Sequence, residues 1–138
     1  LITKVQLETM WLNARNSNLE LYLITDQDQI LAINLRRPLL PSVPSNYEGI
    51  HAGTVSSLNP PSSRVILDQR KEWDDINNRW NLIPGTPRPV NLDRAVIVRR
   101  GQPVPVRSNQ PVLASDLRVG DQLYWLEDMT GPILVLAE

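Results

Sequence analysis

A chain of 138 residues has room for one ordinary domain or two very small ones, and a formal net charge of -1 gives it no field to draw it to nucleic acid or anionic lipid. The absence of cysteine excludes disulfides, thiolate metal sites and a cysteine nucleophile, and no apolar run is long enough to span a bilayer as a helix. Twelve prolines and little alanine disfavour long helices, since proline breaks them and alanine is their best former. The Leu, Val and Ile residues instead fall in short runs, which points to an all-β chain. Beginning at Leu1 without a charged and then apolar leader, the sequence is expected to be a piece of a longer or processed polypeptide.

In chain order, Val5, Leu7, Thr9 and Trp11 alternate with Gln6, Glu8 and Met10, a period of two that predicts a half-buried strand. After a polar turn at 13–18, Leu19, Leu21 and Leu23 alternate again. Asp26-Gln27-Asp28 turns the chain and 29–35 returns, so a three-stranded meander is expected. Pro38, Pro41 and Pro44 follow at a spacing of three, which predicts an extended strap rather than a paired strand. Residues 1–46 are therefore expected to form a meander with a proline-rich strap, and 47–138 a second unit.

In that second unit, 54–58 and 64–67 read as strands around a turn at 59–62. The segment from Lys71 to Leu82 folds back on itself if 75–78 form the turn. Trp73 then faces Trp80, and Asp74 faces Arg79 as an ion pair, each contact contributing roughly 0.2–1 kcal/mol. After Pro84, Pro87 and Pro89 the short strand 95–98 appears, and Val104 and Val106 lie between further prolines. Val112 to Glu138 then holds a capping turn at 114–117, a glycine corner at Gly120, and strands 122–127 and 132–137. Asp128 and Gly131 supply the turn chemistry between those strands. One internal echo stands out. Residues 21–26 followed by Ile30–Ile33 resemble 123–128 followed by Ile133–Leu136, with a gap that differs by one residue, as the tail of one β unit followed by a whole second one.

Few residues suggest chemistry. His51 is the only histidine, so a zinc set is impossible and a base would need partners. Asp26 and Asp28 open like a calcium loop, but the loop's glycine and closing glutamate are missing. Glu72, Asp74 and Asp75 are the carboxylates a glycoside hydrolase would need about 5–10 Å apart, but Asp74 and Asp75 are adjacent on a hairpin and point apart. Trp73 and Trp80 are the candidate binding residues, able to stack on a sugar or a base, with Arg79 beside them.

Residues 51–138 resemble the small β-barrel modules repeated in bacterial, Firmicute-type envelope and secreted proteins. The likeness rests on Gly53 to Leu58, on 64–67, on 95–98 and on the Asp-Leu-x-x-Gly-Asp corner from Asp116 to Asp121. It implies an OB-like barrel with a structural or adhesive role and no catalytic set. The same corner is similar to one in Hedgehog/intein domains, but their N-terminal nucleophile and Thr-x-x-His block are missing here, so self-splicing does not carry over. The expectation is an all-β chain, a small OB-like β-barrel preceded by a β-meander from a related unit. It is expected to act without catalytic residues, metal or cofactor, as an extracellular or envelope module whose partners are other envelope proteins or glycans. The alternatives are an oligosaccharide- or oligonucleotide-binding domain using Trp73, Trp80 and Arg79, and a carboxylate-based hydrolase.

Overall fold

Runs of β-branched and aliphatic residues, punctuated by Asp, Asn, Gly and Pro, become strands because each run presents an apolar face and each interruption supplies a turn. The computed structural model describes residues 9, 12, 20–26, 29–36, 47–59, 62–100 and 113–138. Among them are nine strands: β1 (Glu20–Asp26), β2 (Gln29–Arg36), β3 (Tyr47–Leu58), β4 (Arg64–Asp74), β5 (Arg79–Leu82), β6 (Arg88–Asn91), β7 (Val96–Arg99), β8 (Gln122–Asp128) and β9 (Gly131–Ala137). The chain is all-β. The first expected strand is a correction, since Thr9 and Leu12 have helical backbone and β1–β2 is a two-stranded sheet rather than part of a meander of three. The proline strap, Asp28 and the Val104–Val106 stretch lie outside the described residues.

The larger sheet runs β5-β4-β3-β8-β9-β7, with β6 also paired to β4. It is open, which corrects the expected barrel. Closing a sheet requires its two edges to hydrogen-bond to each other. Here one edge is made by β5 and β6 and the other by β7, which among the described residues pairs only with β9, in parallel, in a sheet otherwise antiparallel. The long strand β3 is shared between two neighbours. Tyr47–Thr54 of β3 pairs with β8 while His51–Leu58 pairs with β4, and bulges fall near Gly53 and Ser56. Each bulge raises the local twist. The proline-flanked residues 88–91 were not legible as a strand, yet they form β6. Pro89 is tolerated there because β6 is an edge strand whose outer side needs no donor.

One face of the sheet encloses the main core, built on Val55, Leu67, Ile97, Leu123, Trp125 and Val135. Leu117, in the corner preceding β8, also plugs into it. Before it, Ala114–Asp116 makes a single 3₁₀ turn whose Asp116 carboxylate accepts the Leu113 N–H at 3.0 Å. Gly120, at φ +95, then donates to the Val55 carbonyl and redirects the chain into β8.

The β1–β2 hairpin covers part of the opposite face. Tyr22 and Ala32 pack with Ile133 and Leu134 of β9, flanked by Val96, Val98 and Leu126, so β9 is buried on both sides. Polar ties reinforce this contact. Asn34 donates to the Ile133 carbonyl at 2.9 Å, and Arg36 reaches Asp128 at 3.2 Å and the Thr130 hydroxyl at 2.9 Å. The Asp128 carboxylate is almost fully buried and also takes the Thr130 N–H and hydroxyl, which closes the β8–β9 turn.

The echo between the two hairpins extends to their hydrogen-bond register. Leu21↔Leu35, Tyr22↔Asn34, Leu23↔Ile33 and Ile24↔Ala32 stand where Leu123↔Ala137, Tyr124↔Leu136, Trp125↔Val135 and Leu126↔Leu134 stand. Both ladders shift at the next step, after Ile24 and after Leu126. The gap read between the two sequences disappears: Ala32, not Leu31, is the counterpart of Leu134.

Candidate functional site

The β4–β5 hairpin has the register its sequence predicts, Trp73↔Trp80 and Asp74↔Arg79. Its turn is fixed locally. The Asp74 carboxylate accepts the backbone N–H groups of Ile76 and Asn77 and the side-chain amides of Asn77 and Asn81, and Asn78 takes the left-handed conformation that asparagine tolerates best. These bonds, the Asn77 amide first, hold the Asp74 carboxyl below its ordinary range. They also replace the expected partner. Asp74 makes no ion pair with Arg79, because the turn's own donors are closer and already occupy the carboxylate.

Trp73 and Trp80 meet edge to face, with ring centroids 5.3 Å apart and planes at 68°. Trp80 also leans on Tyr124 of β8 at 5.9 Å and 50°. Between β5 and β8 run β4 and β3, and the small Ala52 of β3 sits opposite both Lys71 and Tyr124. The three aromatics thus form a strip on the face that β1–β2 covers farther along, with Trp80 the most open of them at 36% exposure. Successive residues of a strand point to opposite faces, so Arg79 lies on the other face from Trp80. The expected site of Trp73, Trp80 and Arg79 is therefore divided: the tryptophans come together, and with Tyr124, but Arg79 does not join them.

The other face holds a second constellation that the sequence did not group. His51 sits in mid-sheet, opposite Glu72 of β4 and Trp125 of β8. Its ring stacks on Trp125 at 5.7 Å and 16°, and its Nε2 lies 3.4 Å from Glu127 Oε2. Glu127 in turn accepts the Trp125 indole N–H at 2.9 Å, while the buried His51 Nδ1 has no partner among the described residues. Gly49 beside them has φ +145, a backbone conformation that a side chain would strain. Glu127 thus meets the imidazole, while Glu72 stands opposite it in the β3–β4 register. No serine or threonine hydroxyl is bonded to that ring, and no group of three metal-ligating side chains occurs among the described residues. Its contacts join β3 to β8.

The remaining charges tie elements together. Arg99 of β7 grips Asp121 with two nitrogens, at 2.7 and 3.1 Å, and Asp121 also accepts the Arg118 N–H at 2.8 Å. The Arg99 bond first, with that backbone bond, holds the Asp121 carboxyl below its ordinary range, and the same bond raises Arg99. Burial, with Asp75 adding to it, pushes the Tyr47 hydroxyl up. No helix among the described residues is long and apolar enough to cross a membrane. Compared with known proteins, the chain matches no family model, no curated protein and no solved structure.

Proposed function

We propose that this chain is a non-enzymatic structural or interaction module of a larger bacterial envelope or secreted protein. The observation that carries the reading is the shared register of β1–β2 and β8–β9 and the packing of one hairpin on the other. Repeated β units need such a joint: a face that each unit cannot bury alone is covered by its neighbour. The ion pairs at Arg36–Asp128 and Arg99–Asp121 fit the same role, since both join separate elements. The envelope or secreted setting rests on the sequence likeness of residues 51–138. Two copies of the chain joined in tandem are expected to melt at least about 4 °C above the single chain, because neighbouring units share an interface. An unchanged midpoint, or a turnover on ester, glycoside or phosphate substrates that is lost in His51→Ala, would overturn the proposal.

A second reading has its own support in the strip of Trp73, Trp80 and Tyr124, which offers an oligosaccharide an apolar surface to stack on. Titrating the chain with glycans is expected to change its tryptophan fluorescence, and Trp80→Ala to remove the change. A response that survives Trp80→Ala defeats this reading.

A further inference from the structure

The outer edge of β4 changes partners midway. Arg64–Leu67 pairs with β6 and Lys71–Asp74 with β5, which leaves residues 68–70 without a strand beside them. The loop from Ile83 to Pro87 arches over this gap, held by the Ile83 N–H on the Arg70 carbonyl at 2.8 Å. Beneath it is a cavity of about 190 Å³. The backbone there is strained, for Gln69 has φ +48 with its N–H turned onto the Asp68 carboxylate at 2.7 Å. A non-glycine residue held so is strained, and such positions cluster at binding sites. On the inner side Gly53 of β3 packs against this bulge, where a Cβ would make van der Waals contact with the Asp68 carbonyl oxygen at 3.4 Å.

Two guanidiniums, Arg70 and Arg88, line this cavity, and no described carboxylate forms an ion pair with either. The Nε of Arg70 is sealed from solvent without an acceptor. A buried N–H donor left unpaired costs free energy that an incoming acceptor recovers. Beside the arginines the wall is apolar, with Leu82 at 66% exposure, Ile83 and Pro84. We propose that this cavity is a binding site for a carboxylate carried on a short apolar stem. Two arginines offer a carboxylate charge-assisted donors, the apolar wall takes the stem, and the negative charge of Asp68 disfavours a dianion such as phosphate. The volume lies below the roughly 300–1,000 Å³ of drug-sized pockets, so the ligand is small: a free short-chain acid or the carboxyl terminus of a peptide. The site is separate from the hairpin joint and from the tryptophan strip, and stands or falls independently of both.

The test is a titration of the ¹⁵N-labelled full chain at constant ionic strength with hexanoate, N-acetyl-leucine, N-acetyl-leucinamide and inorganic phosphate. Hexanoate and N-acetyl-leucine are expected to shift the amides of Gln69, Arg70, Gly85 and Thr86 and the Arg70 Nε–H in a saturable way. Leucinamide and phosphate should bind at least about tenfold more weakly, the loss of one charge-assisted pair. A stronger response to N-acetyl-leucine identifies a peptide terminus as the ligand, and a stronger response to hexanoate a free acid. Arg88→Gln, an exposed edge position, is expected to weaken both acids about tenfold with the melting temperature unchanged. Arg70→Gln, checked for folding by its amide spectrum, should abolish the response. The proposal is overturned by shifts that do not saturate, by an equal response to leucinamide or phosphate, or by full binding in Arg88→Gln.

Discussion

The two hairpins β1–β2 and β8–β9 share turn length, bulge position and pairing, yet their side chains live in different surroundings. Trp125 is 2% exposed inside the main core, while Leu23, its counterpart in β1, is 40% exposed. Leu134 is fully buried and Ala32 nearly so, because those counterparts face each other across the joint. Register is set within each hairpin, by turn length and the alternation of apolar residues. Burial is set by what the rest of the chain lays on top. The β8–β9 hairpin has β3 and β7 on its edges and a core beneath it, whereas β1–β2 is a sheet of two strands whose apolar contact is chiefly one face of β9.

This contrast is best broken at paired positions. Trp125→Ala is expected to cost about 3–5 kcal/mol, from lost burial and the cavity left behind, and Leu23→Ala under about 1 kcal/mol. Urea denaturation of both variants measures the difference, and similar losses would mean that the outer face of β1–β2 is buried after all. Next in size is the joint itself. Arg36→Ala strands the Asp128 carboxylate in the interior and should cost roughly 3 kcal/mol. Hydrogen exchange of the variant is expected to quicken in β1 and β2 before it does in β3 and β4. Exchange that quickens uniformly would show that the hairpins unfold as one.

The last test concerns the larger sheet alone. Because the Asp121 carboxyl is held below its unfolded range, its pairing with Arg99 stabilises the fold in full above the ordinary carboxylate range. That contribution is lost as pH falls from about 4 through the lowered value. Asp121→Asn is expected to cost about 1.5–3 kcal/mol at neutral pH and to show a shallower acid loss than the parent chain. Parallel acid curves for the two proteins would contradict this.

Local features of this fold were readable in the sequence and long-range ones were not. The Trp73↔Trp80 register follows from a turn of Asp and Asn residues, and the strands at 122–128 and 131–137 from alternation closed by Asp128 and Gly131. The position of Gly120 at the corner follows from its missing Cβ. By contrast, nothing in the short run 96–99 says that it will pair in parallel with β9, and that pairing is what leaves the sheet open. The start of β3 at Tyr47 was missed because Glu48, Gly49 and His51 break the apolar pattern. The same interruption hid the meeting of His51 with Glu127. Of the expected site, the two tryptophans were legible and the separation of Arg79 should have been, since strand alternation alone sends it to the other face. The gap in the β4 edge depends on where β5 ends and β6 begins, which no local pattern marks.

The pairing of β3 with β8 also bears on how the chain folds. Thr54 and Gln122, which meet in that ladder, are 68 positions apart, and both central strands of the sheet depend on it. Closing so long a loop before any contact rewards it slows the search. During synthesis β3, β4 and β5 emerge well before β8, so the apolar side chains of Val55, Val65 and Leu67 wait uncovered until the last twenty or so residues arrive. Order of emergence then sets how long those side chains stay exposed, and a truncation before β9 removes Ile133, Leu134, Val135 and Ala137 from the two cores that strand joins.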